Sequence, residues 1–371
     1  MSPTLLAKLR GDWLLWTLVL VLAGLSVQTP KRMATYATLV DWPTIATLTG
    51  LLILTKGIET SGYLDRLGRR LVRHFADVRT LALVLVAASA FLAMWLTNDV
   101  ALFIVVPLTL RLAGNHALPI VRLVVFEALA VNAGSTLTPI GNPQNLYLWR
   151  ESGQTFYRFV GAMLPIAAIM FGALMLLTYL SFRPRPLESR LDVPATPIDG
   201  WQLWLAALLY IPFLIAADRQ EPFVGVAVVL VLYLLAQRQV LAKVDWPLLA
   251  VFVLMFVDLR LIGATEIVRT LVERAGLAEP SHLFLTAVAA SQFISNVPAT
   301  ILLHEFSKDW QLIAYGANVG GFGLALGSLA NLIALRQVTS ARAWLVFHAF
   351  SVPLLVLITA LCYAWTFARM P

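Results

Sequence analysis

Long apolar runs that recur from one end of the chain to the other constrain this sequence more than any other feature. They fall at about 12–28, 39–57, 80–112, 121–149, 160–181, 200–217, 222–237, 245–262, 281–304, 311–335 and 343–366, with polar, proline-rich breaks between them. Many approach the roughly 20 residues an α-helix needs to cross a bilayer. Only 13% of the 371 residues are charged, against about 25% in a soluble domain. A soluble protein this apolar would expose more hydrophobic surface than water tolerates. Lipid is the solvent that fits.

The net charge of +7 sits in short loops between the runs, which is a pattern of membrane topology rather than of nucleic-acid binding. Cys362 is the only cysteine, so an internal disulfide is ruled out and a cysteine-based metal site is not expected. Lys8 and Arg10 precede the run Trp13–Val27. With no small-residue cleavage site before Pro30, this reads as an uncleaved first span.

The chain repeats itself. Val40-Asp41-Trp42-Pro43 recurs as Val244-Asp245-Trp246-Pro247, an offset of 204 that also pairs Lys56 with Arg260. Ala87–Phe91 resembles Ala289–Phe293, and Thr97-Asn98-Asp99-Val100-Ala101 resembles Ser295-Asn296-Val297-Pro298-Ala299. Asn132, Gly134, Gly141 and Asn145 match Asn318, Gly320, Gly327 and Asn331 at an offset of 186. Four blocks in the same order are hard to ascribe to chance. The stretch 65–79 is basic, with Arg66, Arg69, Arg70, Arg73 and Arg79, whereas its counterpart 266–279 is slightly acidic. The positive-inside rule puts the two on opposite sides, so the repeat is inverted.

The expected fold is an all-α polytopic membrane protein of two inverted repeats. Each repeat has a re-entrant hairpin and a broken transmembrane helix, giving about nine crossings plus two hairpins. The divisions are an N-terminal helix (1–38), a first repeat (39–182), a cytoplasmic linker (183–199), two connecting helices (200–243) and a second repeat (244–371). The N-terminus is expected in the cytoplasm and the C-terminus in the periplasm of an inner membrane.

Polar residues interrupt the runs at matching places. Thr97-Asn98-Asp99 breaks 80–112, and Ser295-Asn296 breaks 281–304 ahead of Pro298. Asn and Asp cap helices, and Pro suits a first turn. Half-helix N-termini aimed at one cavity favour an anion. Between Asn132 and Asn145 the chain holds Gly134, Ser135, Thr136, Pro139, Gly141, Asn142 and Pro143; its partner holds Asn318, Gly320, Gly321, Gly327 and Asn331. Glycine lets carbonyls turn toward an ion. Interrupted helices at corresponding positions of two halves point to a transporter site.

Each candidate has a plainer alternative. Asp99 is either a carboxylate that binds a proton or cation or a helix cap. The glycines either line the site or permit close packing. Glu127 relays protons or makes a structural hydrogen bond. Lys56 and Arg260 read as snorkelling residues, and Asp41 and Asp245 as helix caps. His304-Glu305 lacks the second histidine of a zinc motif.

Residues 96–108, LTNDVALFIVVPL, and 132–149, NAGSTLTPIGNPQNLYLW, resemble the ion-transporter superfamily. That superfamily includes arsenite pumps, citrate-metal transporters, sodium/proton antiporters and divalent anion/sodium symporters. Residues 57–70, GIETSGYLDRLGRR, and the chain length look especially like the small YbiR-type inner-membrane permeases. The likeness covers roughly 40–366. It implies tips at Thr97-Asn98 and Ser295-Asn296 that contact substrate and sodium. The tips depart from the dicarboxylate pattern at Asp99 and Val297. The resemblance implies a secondary transporter of a small anion, a carboxylate or inorganic oxyanion, moved by symport or exchange coupled to sodium or protons. Arsenite or antimonite efflux and sodium/proton antiport are the alternatives. No enzymatic activity, resident metal or nucleic-acid partner is expected. Sodium is the one ion it brings in. The implied partners are the solute, the bilayer and a second copy of the chain.

Overall fold

The computed structural model describes residues 13–28, 30–64, 66, 77–113, 118–186, 197–338, 340 and 342–368. Of the basic stretch 65–79, Arg69, Arg70 and Arg73 lie outside the described residues, as do Lys8, Arg10 and most of the 183–199 linker. The described residues form helices and no strand, with one isolated bridge between Asp77 and Pro186.

The first part of the chain comprises α1 (Trp13–Gln28), a 3-10 helix (Pro30–Leu39), α2 (Trp42–Thr60), α3 (Val78–Trp95), α4 (Asn98–Ala113), α5 (Ile120–Ser135), α6 (Pro143–Ser152) and α7 (Phe156–Ser181). Then come α8 (Gly200–Asp218), α9 (Pro222–Ala236) and the single turn α10 (Arg238–Leu241). The last part holds α11 (Trp246–Gly263), α12 (Glu266–Ala275), α13 (Pro280–Ile294), α14 (Asn296–His304), α15 (Trp310–Gly320), α16 (Leu329–Gln337) and α17 (Ala343–Phe367).

Five helices, α3, α7, α8, α11 and α17, are long and apolar enough to cross a bilayer; the pair 32–39 and 42–60, bent by 50°, adds a sixth if it is one span. α1 and α9 are apolar but shorter. The two long runs 121–149 and 311–335 are each split, into α5 and α6 and into α15 and α16. Glycine, proline and asparagine interrupt them, and the Pro143 and Asn142 pair starts α6 as N1 and N-cap.

The centre is built on α5 and α15. Every residue from Leu123 to Ser135 and from Leu312 to Gly320 is buried. Trp204 and Leu208 on α8, Leu235 on α9 and Leu345 on α17 are exposed on the outside. An apolar rim around a packed centre suits a hydrocarbon surrounding.

Both interrupted segments double back at their tips. α3 runs in the same sense as α5: a Cβ on Gly134 would run into the Ala90 carbonyl, and Thr138 Oγ1 donates to the Met94 carbonyl (2.6 Å). α4 runs the other way. Its first residue, Asn98, donates through its N–H to the Gly141 carbonyl (2.9 Å), and Thr109 farther along donates to Glu127. In the second part α13 follows α15, with Phe284 against Gly316 and Ser291 against Gly320. α14 returns along α11, from Ser295 beside Met255 and Leu259 to Leu302 against Gly263.

The two hairpins open at opposite ends. The first opens beside Pro186, on the side where the Ser61 carbonyl after α2 accepts from Asp199 N–H (3.0 Å). The second opens where α11 finishes, and there Arg260 Nη1 donates to the Leu39 carbonyl ahead of α2 (2.7 Å). α2 and α11, the two helices that start with Asp-Trp-Pro, therefore lie antiparallel. Asp41 caps α2 by accepting from Thr44 N–H (3.3 Å) and Thr44 Oγ1 (2.5 Å). Asp245 departs from its expected role. It occupies the N-cap position of α11 without accepting a capping bond.

Candidate functional site

The breaks of the two central helices meet and interlock through asparagine amides. Asn132 Nδ2 donates to Asn331 Oδ1 (2.8 Å), and Asn318 Nδ2 donates to Asn145 Oδ1 (2.7 Å). Asn132 and Asn318 also each donate back one turn, to the Ala128 carbonyl (3.0 Å) and the Ala314 carbonyl (2.7 Å). Asn145 Nδ2 reaches the Ser135 carbonyl (3.2 Å) and Asn331 Nδ2 the Gly321 carbonyl (3.0 Å). Each of these three pairs relates residues by the same offset of 186.

Other bonds lack such a counterpart. Asn142 Nδ2 donates to Asn318 Oδ1 (2.9 Å) and to the Ser135 carbonyl (3.1 Å), while its Oδ1 caps α6 at Asn145 N–H (2.9 Å). Thr136 Oγ1 donates to the Asn132 carbonyl (2.8 Å) and lies 3.3 Å from Asn318 Oδ1. Asn145 also takes the carbonyls of Thr136 (3.0 Å) and Thr138 (3.2 Å). In the second break Gln292 does comparable work. Its Nε2 donates to the Gly320 carbonyl (2.8 Å), and its Oε1 accepts from Leu324 N–H (2.7 Å). Sequence reasoning passed over Gln292, although an amide in an otherwise apolar run is itself a signal.

This accounts for half of the site residues singled out from sequence. Asn132, Ser135, Thr136, Asn142, Asn145, Asn318, Gly321 and Asn331 form one buried network across the molecule. Several carbonyls offered to an ion by the broken backbone accept instead from Asn145 and Asn331. Gly134 lets α3 pack closely on α5, and Gly316 and Gly320 let α13 pack closely on α15. A Cβ on Gly320 would lie 2.5 Å from Ser291 Cβ, and one on Gly141 would collide with Ser135.

The hairpin tips face cavities. Thr97 and Asp99 line a cavity of about 500 Å³, together with Lys56 and Glu59 from α2, Lys243 and Asp245 around the start of α11, and Arg336 on α16. Lys56 Nζ is paired with Glu59 (2.5 Å). Asp99 Oδ1 is buried and has no hydrogen-bond partner. Asn98 is buried behind the wall, held by Gly141. Ser295 lines a second, apolar cavity of about 300 Å³. The two cavities share Leu14, Leu329 and Leu332, so α1 and α16 form the partition between them. Asn296 is buried near the second tip, where Ser295 Oγ lies 3.4 Å from its Oδ1.

Two further acids lie inside the protein. Glu127 accepts from Thr109 through one oxygen and leaves Oε2 unpartnered; Asp258 on α11 leaves both oxygens unpartnered. Asp258 was not selected from sequence, although an acid in an apolar helix is a functional candidate by default. At the far end from Lys56, Tyr147 OH and His304 Nδ1 are 2.9 Å apart and Arg260 pairs with Glu305 (3.0 Å). No group of three or more metal-ligating side chains occurs among the described residues.

Comparison with known proteins points one way. The family model described as citrate transporter matches residues 6–307. The inner membrane protein YbiR of Escherichia coli is 45% identical over 357 residues, 96% of each chain. A silicon efflux transporter of Oryza sativa is 30% identical over 140 residues, 37% of this chain and 29% of its own. The crystal structure of the YdaH transporter of Alcanivorax borkumensis superposes with a TM-score of 0.55 at 14% identity, covering 92% of this chain and 89% of that one. That likeness concerns the fold.

Proposed function

This chain belongs to the citrate transporter family and is a membrane transporter rather than an enzyme, and we propose that it is a secondary transporter of a small anion, a carboxylate or inorganic oxyanion, across the inner membrane. The observation that carries this reading is the charged cavity at the first hairpin tip, whose cations are Lys56, Lys243 and Arg336 and whose acids are Glu59, Asp99 and Asp245. Lys56 is paired with Glu59, so Lys243 and Arg336, which form no ion pair among the described residues, are the cations left to meet an anion beside the tip where α4 begins.

The mechanism is alternating access by two inverted repeats, 39–182 and 244–371, joined by the linker 183–199 and the helices in 200–243. The matched hydrogen bonds at an offset of 186 support the repeat, and the antiparallel α2 and α11 support its inversion. Nine crossings and two re-entrant hairpins follow, with a cytoplasmic N-terminus and a periplasmic C-terminus. The chamber then opens to the cytoplasm. Sodium at the tips or a proton on Asp99 drives the cycle. The working unit is a homodimer.

Proteoliposomes test this. Uptake of labelled citrate, sulfate or phosphate should follow an imposed sodium or proton gradient and disappear in Asn98→Ala and Asn296→Ala. Anion flux indifferent to both gradients removes the coupling. Dissipation of a pH gradient by sodium alone would make the protein a sodium/proton antiporter.

A second reading rests on Asp99 itself. A carboxylate with an unpartnered oxygen at the tip repels an anion and accepts from hydroxyl groups. An uncharged hydroxide such as arsenite or antimonite would suit it, and one relative is a silicon efflux transporter. Metalloid resistance on expression, without anion uptake in vesicles, selects this reading.

A further inference from the structure

Away from the central breaks, the outer face formed by α7 and α17 carries a feature that solute transport does not use. An apolar groove of about 650 Å³ runs between the two helices, floored by Gly172 and Ala173 and walled by Leu176, Leu180, Phe350 and Leu357. Where α7 ends, the groove gives way to a second pocket of about 420 Å³ whose charged residues are Arg122, Arg183 and Arg185. The two abut. Leu180 lines the groove and Ser181 the basic pocket, and the Arg122 guanidinium lies 5.6 Å from the ring centroid of Phe350, a groove residue.

The basic pocket is built rather than incidental. Arg122 Nη1 donates to the Ser181 carbonyl (2.8 Å), and its guanidinium is also 5.8 Å from the Phe182 ring. One bond occupies one of its five N–H donors, which leaves others for a ligand. Arg79 stands beside it, its Nε donating to the Phe182 carbonyl (2.7 Å) and its guanidinium over Tyr179. Among the described residues no carboxylate forms an ion pair with Arg122, Arg183 or Arg185. Asp77, a nearby acid, is bonded to Arg79 N–H and to Thr80 at the start of its own helix.

We infer that this corner is a binding site for an anionic phospholipid, with the phosphate among Arg122, Arg183 and Arg185 and an acyl chain in the groove between α7 and α17. Arginines clustered at the end of a membrane helix recognise an anionic headgroup, and the bidentate guanidinium fork suits phosphate oxygens. A free phosphate ion would use the arginines alone. The continuous apolar groove is what commits the site to a lipid.

Native mass spectrometry of the full chain, with added phosphatidylglycerol or phosphatidylcholine, tests the site. Phosphatidylglycerol should stay bound under conditions that strip phosphatidylcholine. The double variant Arg183→Gln/Arg185→Gln alters only exposed side chains and should lower its affinity for phosphatidylglycerol roughly thirtyfold. Gly172→Leu meets no neighbouring atom within 4 Å of its added Cβ, so it fills the groove without disturbing the helix. It should weaken long-chain phosphatidylglycerol while sparing a short-chain analogue. Equal retention of the two lipids overturns the proposal, as does an unchanged affinity in the double variant. Displacement of the lipid by inorganic phosphate at comparable concentration leaves only an anion pocket and overturns it too. If Gly172→Leu changes the number of protomers and not the lipid occupancy, the groove is a contact between copies and the proposal fails.

Discussion

The two hairpins reverse the chain in different ways. In the first, α3 ends at Trp95, Leu96 is extended, and α4 begins at Asn98 with its N–H tied to Gly141 of the neighbouring break. The first tip puts an acid, Asp99, on a cavity wall lined by charged side chains. In the second, the reversal rests on Ser295, whose φ of 69° and ψ of 157° are unusual for a residue with a side chain, and an apolar cavity lies beside it. The sequence pattern is shared and the local chemistry is not. One tip is held by a neighbour and charged; the other is bent by its own backbone and neutral. In a transporter of two related halves, the ion-handling side is then expected to be the first.

The shared part is the asparagine interlock, and breaking it should have the largest effect. Asn318→Leu leaves Asn145 Oδ1 without its partner and removes the acceptor of Asn142. A stranded buried polar group costs about 1–3 kcal/mol, and a lost hydrogen bond about 1 more. Asn132→Leu strands Asn331 Oδ1 alone. Thermal melts in detergent should therefore rank Asn318→Leu below Asn132→Leu, with both below the parent chain and neither able to transport. Equal melting points would mean that the unmatched bonds of Asn142 and Thr136 carry no weight.

The tips come next. Asp99→Asn keeps the shape and removes the charge, and should lower gradient-driven uptake about tenfold or more, in line with the roughly 1.5–3 kcal/mol of a hydrogen bond to a charged group. Val297→Thr at the other tip should change it little. Uptake assays that find the two variants alike would cancel the proposed division of labour.

A smaller effect separates the tips by sign. The backbone region of Ser295 is essentially glycine's own, and occupying it with a side chain costs of order 1–3 kcal/mol. Ser295→Gly should raise the melting temperature. Thr97→Gly should lower it, since glycine there only adds unfolded-state freedom, worth roughly 0.5–1 kcal/mol. Shifts of the same sign in both would show that the tips are not conformationally distinct.

Much of this was legible in the sequence because it is local. The breaks at 136–142 and 321–328 announce themselves through Gly, Pro and Asn, and both tips lie where polar residues interrupt an apolar run. Asp41 before Trp-Pro caps its helix as that pattern suggests. What was not legible depends on residues far apart in the chain. Nothing in Asn132 or Asn331 alone says that the first would donate to the second across the molecule instead of meeting an ion. Asp245 has the same flanking residues as Asp41, yet it lines a cavity whose other charged residues are its neighbour Lys243 and side chains from α2, α4 and α16. Asp258 did carry a readable signal, an acid in an apolar helix, and both of its oxygens lack a partner.

The smallest contrast lies at the hairpin entrances. Asp77 caps α3 by accepting from the N–H groups of Arg79 (2.9 Å) and Thr80 (3.1 Å), whereas Glu279 precedes Pro280 and α13 without a side-chain cap. Asp77→Ala should cost about 1 kcal/mol at neutral pH, and Glu279→Ala close to nothing. The Thr80 hydroxyl and N–H, helped by Arg79, hold the Asp77 carboxyl below the usual carboxylate range. A carboxyl whose folded pKa is depressed stabilises the fold fully above its unfolded value, about 3.9 for Asp. That contribution fades as pH falls through the lower folded value. Melting temperatures of the parent and Asp77→Ala should therefore converge as pH is taken from neutral into the acid range, while those of the parent and Glu279→Ala stay together throughout. A gap that widens on acidification would mean that Asp77 acts through some contact other than its cap.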